Sequence, residues 1–251
     1  MPRFLTVLPV YNEVQHITSV LDQVAQYATD VLVVDDGSTD GSTELLCKRD
    51  DINLVLHPKN RGYGAALQTA FDYAIVQRYD VVVTIDCDGQ HEPQRIAKLA
   101  AGCQHADIVS GSRYLQLEQS TDQVPSERLH INRQITAELN DLLQLQLTDA
   151  FCGFKAYRTQ SLAQLNLTET GYAMPLELWV QAACHKLRIT EIPVPLIYLD
   201  EERSFGGSLD AAEIRLKYYR EVIERAVHAC QKKALFDTTD QLCGSQLCPC
   251  P

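Results

Sequence analysis

Asp80-Val-Val-Val-Thr-Ile-Asp-Cys-Asp-Gly-Gln-His91 is the stretch on which the reading of this chain turns. Val81 to Ile85 is a β-branched run without polar alternation, the pattern of a strand buried on both faces of a parallel sheet. In open α/β sheets ligand chemistry gathers at the carboxyl ends of such strands. This one ends in Asp86-Cys-Asp88. Side chains two apart on an extended chain share a face, so the two carboxylates are expected to aim together. Converging carboxylates repel unless a cation lies between them, and their hard oxygens suit Mg²⁺ or Mn²⁺. Gln90 offers a further, neutral oxygen. The other reading of these residues is a polar turn into a helix with Pro93 at its first position.

Upstream, Phe4-Leu-Thr-Val-Leu-Pro-Val-Tyr-Asn-Glu13 reads as a strand stopped by Pro9, with Tyr11, Asn12 and Glu13 at its carboxyl end. Ile17, Val20, Leu21, Val24 and Ala25 then recur at helical spacing. Val31 to Asp36 is a second strand, followed by Gly37-Ser-Thr-Asp-Gly41, a tight turn rich in helix-capping residues. Ile52 to Leu56 is a third. Asn60-Arg-Gly-Tyr-Gly64 opens a helix with Leu67, Ala70, Phe71, Ala74 and Ile75 on one face. Glycines there, Gly64 included, let the backbone approach an anion that exposed amides and the helix dipole favour. Short strands alternating with helices predict an α/β fold, a mostly parallel sheet with right-handed crossovers.

Composition narrows the function classes. At 251 residues and 45% hydrophobic, the chain can bury one large core. A net charge of −11 argues against nucleic acid and against adhesion to an anionic membrane. No apolar run approaches the roughly 20 residues that span a bilayer, and Phe4 to Val10 is too short for a signal-peptide core. Nine cysteines, an odd number spread mostly through expected core elements, fit reduced cytosolic thiols.

Pro9-Val-Tyr-Asn-Glu13, Val33-Val-Asp-Asp-Gly-Ser-Thr-Asp-Gly41, Asn60-Arg-Gly-Tyr-Gly64, Asp86-Cys-Asp-Gly-Gln-His91 and Gly111-Ser-Arg-Tyr114 stand in a distinctive order. That order resembles family 2 glycosyltransferases of the GT-A fold, in particular the dolichol- or polyprenyl-phosphate mannose and glucose synthase branch, over roughly residues 4 to 208. The resemblance implies that Pro9, Tyr11 and Glu13 line a nucleotide pocket and that Asp36 contacts the base. Asp36 also reads as a turn residue capping the next helix, and Tyr11 as packing. It implies a metal and diphosphate site at Asp86, Asp88 and Gln90, and direct displacement that inverts the sugar's anomeric centre.

A phosphate monoester acceptor needs no general base, because its second pKa is about 6 and the attacking oxygen is already ionised at neutral pH. It needs cations, and arginine gives planar bidentate contacts to phosphate. Arg113, Arg128 and Arg133 follow the metal strand, and the resemblance places Arg113 and Arg128 near the acceptor. Arg133 reads equally as part of a solvated helical face.

Asp149-Ala-Phe-Cys-Gly-Phe-Lys155 resembles the family's Asp-x-x-x-Gly-Phe-[Lys/Arg] segment, with Asp149 contacting the sugar or holding an arginine. Gly153-Phe154 reads equally as a turn into a strand. Glu177 matches a family acid and also suits the first turn of a helix. Glu202-Arg-Ser-Phe-Gly-Gly-Ser-Leu209 resembles a loop that folds over the nucleotide, with Arg203 on a phosphate and Gly206 and Gly207 as hinges. Leu209 stands where lysine is usual in the family.

Residues 1–209 are thus expected to form the catalytic domain and residues 210–234 a packed surface helix. That helix shows an apolar stripe, Tyr219, Val222, Ile223, Ala226, Val227 and Cys230, and mixed exposed charges that include Arg215. Residues 235–251, with Cys243, Cys248 and Cys250, read as a disordered tail, since three thiols without a nearby histidine are a poor zinc set. The expected activity is transfer of mannose or glucose from GDP-mannose or UDP-glucose to a polyprenyl phosphate. The expected setting is the cytoplasm, with peripheral contact at the inner membrane face or a membrane partner protein. A same-fold enzyme with a soluble or polysaccharide acceptor, and a non-catalytic nucleotide-sugar-binding protein, are the alternatives. A nucleotidyltransferase would carry a basic Gly-rich loop where Tyr11-Asn-Glu13 stands.

Overall fold

The computed structural model describes residues 2–115, 126–197 and 211–243, with the side chains of 126 and 233–243 left aside. The strands are β1 (Phe4–Val10), β2 (Val31–Asp35), β3 (Asn53–Leu56), β4 (Val81–Thr84), β5 (Ile108–Ser112), β6 (Lys155–Arg158) and β7 (Ile189–Pro193). They form one sheet in the order β3-β2-β1-β4-β6-β5-β7, and every pairing is parallel except those of β6. The strand order reverses between β1 and β4, so the loops leaving these two neighbours diverge and open a crevice at their carboxyl ends.

Helices α1 (Ile17–Val24), α2 (Ser42–Leu46), α3 (Tyr63–Val76), α4 (Ile96–Gly102), α5 (Ser126–Leu143), α6 (Thr159–Leu162), α7 (Met174–Cys184) and α8 (Ala212–Cys243) cover the two faces. Two apolar clusters fill the gaps, one under α3, α5, α7 and α8 and the other under α1 and α4. In α1 four of the five residues at helical spacing, Ile17, Val20, Leu21 and Val24, are buried, while Ala25 caps the helix and is exposed. Val82 and Val83 of β4 are fully buried, as the uninterrupted β-branched run predicts. Burying such a side chain contributes about 1.5–3 kcal/mol.

Pro9 does not stop the first strand. β1 runs through it to Val10, because β4 pairs with β1 only as far as Val7 opposite Thr84. β2 still pairs with β1 there, Pro9 opposite Val34, but on the β4 side no ladder partner is left to miss the proline N–H. β6 enters antiparallel between β4 and β5, a placement that no strand pattern revealed. Pro93 opens a single 3₁₀ turn leading into α4, as the alternative reading of that stretch has it.

Tyr219, Val222, Ile223 and Ala226 of α8 are buried against the core, as the stripe predicts. Arg215, expected among the exposed charges, is 3% exposed, with its guanidinium 2.9 Å from Glu127 Oε1. Expected to end near residue 234, α8 continues to Cys243, because no Gly or Pro interrupts the sequence before Gly244. Of the described cysteines, Cys47, Cys103, Cys152 and Cys184 are free thiols. Cys248 and Cys250, like Arg203, Gly206, Gly207 and Leu209, lie outside the described residues.

Candidate active site

A cavity of about 690 Å³ occupies the crevice between the β1 and β4 loops. Pro9 on β1, Tyr11 and Glu13 just after it, Asp36 after β2, Asn60, Gly62 and Tyr63 at the start of α3, and Asp86 and Asp88 after β4 all line it. The far wall is apolar and aromatic, made by Phe151, Tyr172, Pro175 and Tyr219.

The turn after β2 holds the rim through four hydrogen bonds. Asn12 N donates to Ser38 Oγ (2.9 Å), Thr39 N to Asn12 Oδ1 (2.8 Å), Glu13 N to Ser42 Oγ (2.9 Å) and Val14 N to Asp40 Oδ2 (3.0 Å). Asn12 adopts φ 57°, a left-handed conformation that asparagine tolerates. Tyr11 is thereby left 43% exposed at the cavity mouth. It is not packing.

Asp36 is buried and does not cap the helix next to it. Its Oδ1 accepts from Arg61 N (3.0 Å) and lies 2.6 Å from His57 Nδ1, while Oδ2 accepts from Gly62 N (2.7 Å). The anion at the amino terminus of α3 is therefore Asp36 itself, which the dipole and the unpaired amides favour. The glycines of that turn answer a second demand, close packing. A Cβ on Gly62 would lie 3.1 Å from Thr170 C, and one on Gly64 2.8 Å from Met174 Cβ. Gly64 thus packs beneath the loop before α7, while Gly62 and Tyr63 face the cavity.

Asp86 and Asp88 do not alternate along a strand. β4 ends at Thr84, and Asp88 sits in a turn completed by Gly89 at φ 73°. Both residues still line the same cavity. Asp88 Oδ1 accepts from Gln90 N at 3.0 Å, so the contact of Gln90 to this pair runs through its backbone. Asp86 is 26% exposed, with Tyr63 Oη donating to Oδ1 at 3.1 Å and His91 Nε2 lying 3.4 Å from Oδ2. Burial, and then the Asp86 charge, push the Tyr63 hydroxyl well above its ordinary pKa, so it stays a donor.

Asp149 is fully buried and holds Arg113. The guanidinium donates Nε to Oδ2 at 2.7 Å and Nη2 to Oδ1 at 2.9 Å, a bidentate pair, and Asn132 Nδ2 donates to Oδ1 at 3.0 Å. Burial by itself would raise the Asp149 carboxyl, but Arg113 outweighs it and holds the group well below the usual carboxylate range. Burial disfavours the Arg113 charge and Asp149 more than restores it. Glu191 of β7 fastens the segment from behind, accepting Thr148 N at 2.8 Å and Asp149 N at 3.1 Å. Of the two roles open to Asp149, the geometry displays the holding of an arginine. Arg128 is half-buried and, like Arg133, is not among the residues lining the cavity. Arg133 is exposed, and its charge acts on Tyr114 beside Arg113.

Glu177 is buried away from the cavity, accepting Thr168 N at 2.8 Å and Glu169 N at 2.7 Å, and so shapes the loop before α7. Among the described residues no three His, Cys, Asp or Glu side chains group to hold a metal. Asp86 and Asp88 together offer only oxygen. Such a set fits a hard cation that draws its remaining oxygens from a diphosphate and water.

The family 2 glycosyl transferase profile matches residues 6–165, from β1 through β6. The chain belongs to glycosyl transferase family 2. This family 2 glycosyltransferase is 31% identical over 225 residues to an undecaprenyl-phosphate mannosyltransferase of Micrococcus luteus, covering 85% of this chain and 92% of that protein. It is 29% identical over 217 residues to a polyprenol monophosphomannose synthase of Mycolicibacterium smegmatis, covering 82% and 80%. A glucosyl-3-phosphoglycerate synthase of Mycobacterium tuberculosis, crystallised with Mn²⁺, uridine diphosphate and glucosyl-3-phosphoglycerate, superposes with a TM-score of 0.69. At 18% identity over 90% of this chain and 80% of that one, it shares the GT-A fold.

Gly153 matters to this glycosyltransferase for a reason that its motif hides. A Cβ there would lie 2.6 Å from Asp86 Cγ, inside van der Waals contact, so the carboxylate rests directly on the Gly153 backbone. Gly153→Ala is therefore expected to push Asp86 aside and lower kcat/KM roughly a hundredfold, the scale of loss for a displacement of about 1 Å within an active site. Initial rates on a variant with an unchanged circular dichroism spectrum check it. Tyr63, Tyr172 and Phe151 also went unmarked in the sequence, since an aromatic at a helix start or in a loop carries no pattern of its own.

Proposed function

We propose that this enzyme transfers mannose or glucose, with inversion, from a nucleoside diphosphate sugar to a polyprenyl phosphate at the cytoplasmic membrane face. The observation that carries the reading is the convergence of Pro9, Tyr11, Glu13, Asp36, Asp86 and Asp88 on one cavity at the switch point of the sheet. Asp86 and Asp88 would hold Mg²⁺ or Mn²⁺. When bound there, the cation neutralises the charge that builds on the departing diphosphate. Tyr11 is exposed at the mouth to take the base, and Glu13 lies beside it.

The acceptor side of the proposal rests on charge. Arg113 is held in a fixed fork by Asp149 and stays cationic, and Arg128 follows it along the chain at the start of α5. A phosphate monoester arrives already ionised, so these groups need only bind and orient it. Relatives named for undecaprenyl-phosphate and polyprenol-phosphate mannosylation support the same acceptor class. Among the described residues no helix is long and apolar enough to cross a membrane.

Incubation with labelled GDP-mannose or UDP-glucose, offering undecaprenyl phosphate beside undecaprenol, tests the proposal. Lipid-linked sugar is expected with the phosphate and none with the alcohol. Transfer to the alcohol alone, or to neither, would refute it.

A further inference from the structure

The backbone does not by itself fix Asp86. It stands two residues past the end of β4 and enters the Cys87–Gly89 turn, and a carboxylate torsion is broad unless something holds it. On one side the Gly153 backbone walls it in. On the other stand the Tyr63 hydroxyl at Oδ1 and, at 3.4 Å from Oδ2, His91 Nε2. We propose that Tyr63 is a positioning residue of the cation site, donating to Asp86 Oδ1 so that Asp86 and Asp88 are presented together to a divalent ion. This rests on the cation site proposed above.

Tyr63 is built to stay in place. Its ring stacks on Tyr172, with centroids 5.7 Å apart and planes 19° from parallel. The loop carrying Tyr172 is fastened to α3 itself, through Ala65 N donating to Thr170 O (3.1 Å) and Gln68 Nε2 to Glu169 O (2.8 Å). From the other side α8 anchors the same loop. Glu169 accepts from Gly171 N and Arg225 Nη2, each at 2.9 Å, and from the Tyr218 hydroxyl. A Cβ on Gly62 or Gly64 would force this loop away from α3. The two glycines that flank Tyr63 therefore serve its position. A hydrogen bond donated to one carboxylate oxygen restrains the group and leaves its charge available to the ion, as partners behind metal ligands do.

A ring that only packs would be served equally well by phenylalanine. Tyr63→Phe keeps the stack and the volume and removes the donor alone. Mn²⁺ would be titrated into the full chain with GDP or UDP held at saturation, following the electron paramagnetic resonance signal of aquo-Mn²⁺. Tyr63→Phe is expected to weaken Mn²⁺ binding roughly tenfold, the low end for losing such a partner. Nucleotide affinity without cation should stay unchanged. Tyr172→Ala should weaken Mn²⁺ binding by freeing the Tyr63 ring. Mn²⁺ binding by Tyr63→Phe within twofold of the wild type would overturn the assignment while leaving the cation site standing. So would a parallel loss of cation-free nucleotide binding, which marks general damage to the cavity. A wild type that binds no Mn²⁺ with either nucleotide would overturn the site and this inference together.

Discussion

Asp86→Asn is expected to lower the rate of sugar transfer by about a thousandfold, equivalent to roughly 4 kcal/mol of barrier. The replacement is nearly isosteric, so the seat against Gly153 and the Tyr63 contact to Oδ1 can both survive. What changes is charge. An amide oxygen is a far poorer ligand for a hard dication, and without the ion the departing diphosphate must leave with its charge unshielded. Asp88→Asn should follow the same course, and chelation of divalent ions with EDTA should reduce the wild type to the level of these variants. The measurement is product formation against Mn²⁺ or Mg²⁺ concentration. A variant that retains wild-type rates at every metal concentration would remove the cation from the mechanism.

Arg113→Met is expected to cost about 3–5 kcal/mol of stability near neutral pH, because it strands a fully buried carboxylate. The pH dependence gives the stronger check. In the wild type the folded pKa of Asp149 is depressed. Its contribution is therefore fully present above the unfolded value of about 4 and lost as pH falls below it. Without Arg113, burial dominates and the folded pKa rises above the unfolded one. The penalty should then grow as pH climbs through that raised value and shrink toward pH 5. Urea unfolding at pH 5 and pH 8 should show a larger deficit at pH 8. Arg113→Met combined with Asp149→Asn should recover part of it. Equal deficits at the two pH values would mean that Asp149 is not held ionised by Arg113.

Much of the fold was legible because buried parallel strands and amphipathic helices announce themselves locally. Val81 to Ile85 and Ile17 to Val24 bury the side chains that their spacing selects. Other expectations failed where the deciding partner lies far along the chain. Pro9 is tolerated in β1 only because β4 stops short of it. Arg215 reads as a surface charge until α8 folds it onto Glu127, 88 positions away.

By itself, then, the sequence determined the layered sheet, the family and the acids at the strand ends, since those depend on residue type and short spacings. Tertiary structure alone decided which neighbours those acids meet. Asp36 became the cap of a helix 26 residues on, Asp86 came to rest on Gly153, and Tyr63 was pinned by a loop that α8 anchors. The physical reason is range: periodicity reports burial one turn or one pleat at a time. Hydrogen bonds and steric contacts between distant segments exist only once the chain has closed.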